Sequence, residues 1–80
     1  MVKVNFYGPL KNYFGNTAEV KGRTLLEILS SIDANNVLIE RKQNKIKSGI
    51  IILIDGMDWR INSAINDESQ IDIIPVNHGG

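Results

Sequence analysis

The nine residues "TLLEILSSI" at positions 24–32 constrain the fold of this chain more than any other stretch. Thr24 followed three residues later by Glu27 is a capping box, and Leu25, Ile28, Leu29 and Ile32 fall at i, i+3, i+4 and i+7. They predict one principal amphipathic helix with a single apolar stripe. One helix laid over a sheet is the economical way to hide such a stripe, so the rest of the chain should supply strands.

Val2, Val4 and Phe6 alternate with Lys3, Asn5 and Tyr7, the period-2 pattern of a strand with one face on a core. Gly8-Pro9 ends that strand. Residues 17–21, after the Gly15-Asn16 turn signal, are β-branched and alternating enough to pair back as a hairpin, with residues 10–14 as its long loop. Asn35-Asn36 stops the helix, and residues 37–44 read as a short additional helical piece.

The aliphatic run Ile50–Ile54 is a strand by length and branching, closed by Asp55-Gly56. Residues 57–61 suggest a short further strand, 66–69 a turn, and Gln70–Pro75 the last strand. The order is ββαβ(β)β, an α+β chain with a mixed four- to five-stranded sheet and one main helix on one face. Whether the first and last strands are neighbours is not readable from pattern.

Alternation sends Ile50, Ile52 and Ile54 into the core and leaves Ile51 and Leu53 pointing away from the helix. With Ile74 of the last strand they form either a partner-facing apolar patch or a surface covered by later loops. Dimerisation is a third use of that face.

Eighty residues leave little room for an enclosed active site. Lys+Arg and Asp+Glu are 9 each, which gives no reason to expect strong direct nucleic-acid binding. The basic run Arg41, Lys42, Lys45 and Lys47 reads as a solvated face, and Trp59 as a partly buried packing residue. No apolar stretch approaches the ~20 residues of a membrane helix, so no membrane association and a cytoplasmic location are expected. The chain has no cysteine, which excludes disulfides, thiolate–metal sites and a cysteine nucleophile. No catalytic residue and no metal site are expected.

What remains is the end, "IIPVNHGG". The final Gly79-Gly80 lack Cβ atoms and permit close backbone approach, so the Gly80 carboxylate suits activation inside another protein's enclosed site. Residues 76–80 reach about 16 Å at ~3.3 Å per residue, enough to cross a partner's surface layer. The expected organisation is a domain over 1–75 and a flexible tail over 76–80. Val76, Asn77 and His78 are the handle for the activating partner; His78, the sole histidine, has no fixed partner that would make it a general base.

This strand order with a terminal Gly-Gly resembles the ubiquitin-like, β-grasp family of sulfur carriers and protein modifiers. "VNFYGPLKNYFG" and "TLLEILSSI" look like the opening and helix of the molybdopterin synthase small subunit, whereas "SGIIILIDGMDWRI" and the closing "HGG" are similar to the ubiquitin-related modifier. The turn "NDES" carries Glu68 where these families usually place a glycine, and only Pro75 stands where molybdopterin-synthase subunits carry a Pro-Pro pair. The balance favours the ubiquitin-related branch.

The resemblance implies a protein co-substrate and not an enzyme. An activating enzyme using ATP and Mg²⁺ would adenylate Gly80, and a sulfur-donor protein would then leave a C-terminal thiocarboxylate. The sulfur would pass, through a tRNA thiolation enzyme, to wobble uridine. Attachment to target-protein lysines by an isopeptide bond is also implied for some members. Donation to a pterin precursor as the molybdopterin synthase small subunit is the alternative, a thiazole-forming carrier comes third, and a non-catalytic β-grasp interaction module is the alternative from another class.

Overall fold

The computed structural model describes residues 1–76. In chain order the elements are β1 (Val2–Phe6), a 3-10 turn (Gly8–Leu10), α1 (Lys11–Phe14), β2 (Thr17–Val20), α2 (Leu25–Ile32), β3 (Ile39–Glu40), β4 (Lys45–Ile46), β5 (Ile50–Ile54), β6 (Met57–Asp58) and β7 (Gln70–Pro75). Five strands make one mixed sheet in the order β2-β1-β7-β5-β6, and β3-β4 form a separate two-stranded hairpin. β1 and β7 run parallel, with Val4 opposite Ile71 and Phe6 opposite Ile73, and every other pairing is antiparallel. The first and last strands are therefore neighbours at the centre of the sheet.

The core lies between that sheet and α2. Val2, Val4, Phe6, Ile52, Ile54, Ile71 and Ile73 enter it from the strands, and Leu25, Ile28 and Leu29 from the helix. Burying each such side chain stabilises by ~1.5–3 kcal/mol, which is why the alternation of three strands fixes which face turns inward. α2 starts at Thr24 as its sequence predicts, with Thr24 Oγ1 accepting the Glu27 N–H at 3.1 Å; Glu27 Oε1 reaches back one residue past the cap and accepts the Arg23 N–H at 3.2 Å.

Two stretches differ from the sequence expectation. Residues 10–14 are a 3-10 turn running into the four-residue α1, not an open loop. Leu10 is buried and Phe14 stacks on Phe6 with ring centroids 4.6 Å apart. A single turn anchored by two apolar side chains is too short to show a helical period.

Residues 37–44 are not helical; they hold β3 and the turn of the β3–β4 hairpin. The cause is Asp33, which is wholly buried. Its Oδ1 accepts the Val37 N–H at 2.8 Å, and its Oδ2 accepts those of Leu38 and Ile39 at 2.8 and 2.9 Å. Those three donors are bound to a side chain and cannot pair along a helix. Asn36 and Asn44 adopt left-handed φ of 55° and 53°, which also excludes a continuous helix.

The turn before β7 forms without the family's usual glycine. Ser69 N–H donates to the Asn66 carbonyl at 3.1 Å, Asn66 N–H to Ser69 Oγ at 2.9 Å, and Glu68 N–H to Asn66 Oδ1 at 2.8 Å. Glu68 has no positive φ, so nothing at that position requires glycine.

Candidate functional site

The sheet has one face under α2 and one without a helix. Ile51, Leu53 and Ile74 lie together on the second face: Ile51 pairs with Ile74 in register, and Leu53 with Asp72 two pairs further along. Ile51 is 40% exposed, and Leu53 and Ile74 are half-buried. Their strand neighbours Ile50, Ile52 and Ile54 turn the other way, with Ile52 and Ile54 buried and Ile50 packed against the core. The later loops thus leave part of this face open.

Next to the apolar trio lies a polar group that sequence reading did not single out. Asp72 Oδ1 accepts a hydrogen bond from Asn5 Nδ2 at 3.0 Å and another from the Tyr7 hydroxyl at 3.1 Å. The Tyr7 pKa is raised above its ordinary 10.0, first because its hydroxyl donates to Asp72 and second because that carboxylate's charge opposes ionisation. Parity already places Asn5, Tyr7 and Asp72 on outward positions. What the sequence lacked was the parallel β1–β7 pairing that sets Asn5 opposite Asp72.

β7 delivers the chain end at one edge of this face. Val76 N–H donates to the Gly49 carbonyl at 2.9 Å, one pair beyond the Ile50–Pro75 register. Of the tail handle, Val76 is thereby held at the start of β5. Asn77, His78, Gly79 and Gly80 lie outside the described residues.

Beside this exit, between the β3–β4 hairpin and the β5 and β6 strands, is an open groove of about 640 Å³. Lys45, Lys47, Trp59 and Arg60 line it. Trp59 is half-buried and packs on the core, with its N–H bonded to the Ile52 carbonyl at 3.0 Å, which is the packing role expected of it. Arg60 Nη2 meets Asp58 Oδ2 at 2.8 Å and holds the Asp58 pKa down to about 2, chiefly through the side-chain bonds and then through the Arg60 N–H.

The basic run divides. Lys42, Lys45 and Lys47 are exposed as expected, whereas the Arg41 guanidinium donates to Asn36 Oδ1 at 2.7 Å and to the carbonyls of Ser30 and Asp33. It satisfies carbonyls at the C-terminal end of α2, where a cation also suits the helix dipole. Arg41 is exposed like the three lysines, as expected, but its guanidinium is tied to the end of α2 as well.

Among the described residues no three His, Cys, Asp or Glu side chains cluster to hold a metal ion, and no helix is long and apolar enough to cross a membrane. The helix-free face thus holds an apolar patch and an oriented carboxylate on the strand that leads to Val76.

Comparison with solved structures gives this arrangement relatives. The chain superposes on Urm1 of Sulfolobus solfataricus with a TM-score of 0.82 and 41% identity, covering 92% of this chain and 99% of that one. It belongs to the ubiquitin-like β-grasp family of sulfur carriers and protein modifiers. SAMP1, the small archaeal modifier protein 1 of Methanosarcina acetivorans, matches at TM-score 0.84 and 23% identity over 99% of this chain and 95% of that one. A chain in the Amycolatopsis orientalis BexX/CysO complex matches at 0.80 and 23% over the full length of both. At that identity the last two speak for the fold alone. No protein-family model matches the sequence, and no curated protein does.

Proposed function

We propose that this β-grasp protein is a sulfur carrier and modifier of the Urm1 type, a co-substrate whose C-terminal Gly80 is activated by a partner enzyme. The observation that carries this reading is the 41% identity to Sulfolobus solfataricus Urm1 across 92% of the chain, with the sequence closing on His78-Gly79-Gly80. In this reading the enzyme uses ATP and Mg²⁺ to join the Gly80 carboxylate to the α-phosphate of ATP, releasing pyrophosphate. The terminal sulfur of a persulfide on a donor protein then displaces AMP to form an acyl disulfide. A second thiol cleaves its S–S bond, becoming oxidised to a disulfide and releasing the Gly80 thiocarboxylate, which serves 2-thiolation of the transfer-RNA wobble uridine.

The described geometry supports a division of labour. Residues 1–75 present the face that a partner recognises, and the 76–80 segment supplies the reacting end. Val76, Asn77 and His78 act as the handle that leads Gly79 and Gly80 into the enzyme, and lysines of target proteins are a second acceptor.

The test is incubation with ATP, Mg²⁺ and the cognate activating enzyme. We expect an acyl-adenylate, and after sulfur donation a mass gain of one sulfur-for-oxygen exchange at Gly80. A chain that stays unmodified, together with a Gly80 deletion that leaves cells unaffected, leaves only the non-catalytic interaction module. Loss of molybdenum cofactor with normal 2-thiouridine in a strain lacking the protein would assign the sulfur to the pterin branch instead.

A further inference from the structure

The outer face combines three apolar side chains with one carboxylate whose two oxygens are unlike. Asp72 Oδ1 already accepts from Asn5 Nδ2 and the Tyr7 hydroxyl, whereas Oδ2 has no protein donor among the described residues. Asp72 makes no ion pair there either: Lys3, the outward cation of β1, sits opposite Gln70 in register. The carboxylate therefore depends on water at Oδ2, while its orientation is fixed by two neutral donors.

Leu53 is the register partner of Asp72 on β5, and Ile74 is the next outward residue along β7. A protein that covers Ile51, Leu53 and Ile74 cannot avoid covering Asp72. Stripping water from a carboxylate without replacing it costs several kcal/mol, more than covering one Leu or Ile gains. The partner must bring its own donor, and a charged donor binds a carboxylate roughly twice as strongly as a neutral one.

We propose that Asp72 is a recognition point for a lysine or arginine side chain on the activating enzyme, set beside an apolar contact to Ile51, Leu53 and Ile74. This rests on the carrier reading above. A second copy of the chain is a poorer occupant, because a two-fold pairing centred on Asp72 brings two like-charged carboxylates together. Asn5 and Tyr7 are positioning residues: they turn Oδ1 inward along the sheet and leave Oδ2 for the partner.

The test compares wild type with Asp72→Asn in ATP-dependent activation by the cognate enzyme, varying carrier concentration at low and at high salt. Asn keeps the Oδ1 acceptor for Asn5 and Tyr7, so the thermal midpoint should stay close to that of wild type and a shift in kinetics is not a loss of fold. We expect KM for the carrier to rise about tenfold with kcat unchanged, and the salt dependence of KM to flatten. Tyr7→Phe, which removes only one orienting bond, should raise KM by a smaller factor.

An Asp72→Asn variant with the KM and salt dependence of wild type overturns the proposal while the carrier reading stands. Wild type that gives no adenylate under any condition defeats both. A dimer of the free protein that Asp72→Asn strengthens would give the face to self-association and also overturn it.

Discussion

Replacing the wholly buried Asp33 by alanine should cost this domain a large share of its stability. Its carboxylate is the acceptor for three backbone N–H groups, those of Val37, Leu38 and Ile39, at 2.8 to 2.9 Å. Leu38 and Ile39 are 0% and 1% exposed, so water does not replace the lost acceptor at those two. Each buried donor left unpaired costs ~1–3 kcal/mol, whereas the Val37 N–H lies on a half-buried residue and regains solvent cheaply. Two such donors give about 2–6 kcal/mol.

For a chain of this size each kcal/mol moves the thermal midpoint by ~4–8 °C, so Asp33→Ala should melt more than about 10 °C below wild type. Asp33→Asn separates acceptor loss from cavity formation. Its one remaining oxygen can keep the Leu38 and Ile39 N–H groups while the amide faces Val37, which limits the loss to roughly one hydrogen bond, ~1–2 kcal/mol. Urea unfolding followed by Trp59 fluorescence measures both variants. An alanine variant within about 1 kcal/mol of wild type, or an asparagine variant less stable than the alanine one, would refute the assignment of the buried carboxylate to those donors.

Three further outcomes follow from other parts of the fold. A Cβ at Gly22 would lie 2.5 Å from Ile28 Cγ1, and Ile28 is fully buried, so Gly22→Ala should destabilise by ~1–3 kcal/mol in the same unfolding assay. Arg60→Ala should return the Asp58 pKa from about 2 toward 3.8 in a carboxyl NMR titration. The folded-state value is depressed, so the pair's stabilisation is present above pH 3.8 and is lost as pH falls toward 2. Ile51→Ala, at a side chain already 40% exposed, should change stability by less than ~1 kcal/mol yet lower kcat/KM for activation of the carrier.

The elements that could be read from sequence were those long enough to show a period. Alternation in Val2–Phe6 and the i, i+3, i+4, i+7 stripe from Leu25 to Ile32 placed β1 and α2, and the parity of Ile50–Ile54 put Ile52 and Ile54 inside and Ile51 and Leu53 outside. The failures are short elements ruled by one specific side-chain contact that has no periodic signature. α1 exists because Phe14 reaches Phe6, and the β3–β4 hairpin exists because Asp33 takes donors four to six residues ahead. No window statistic carries either contact. Arg41 is exposed as read, but its bonds to the carbonyls of Ser30 and Asp33, 11 and 8 residues away, were not legible.

The candidate site shows the same division, and β7 explains why. The outward parity of Ile51, Leu53 and Ile74 was legible, but Asp72 gains its meaning only from the strand beside it. β7 lies between β1 and β5, so each of its residues is read by two neighbours. Ile71 and Ile73 are wholly buried beneath it, Asp72 takes the Asn5 and Tyr7 donors above it, and its end hands Val76 to the Gly49 carbonyl. Core, outer face and chain exit therefore share a single strand of six residues. The ladder from Ile54–Ile71 to Ile50–Pro75 fixes where Val76 stands relative to the outer face. Under the proposed carrier function, a partner that covers the outer face thereby also fixes the position of Val76, the residue that leads into 77–80.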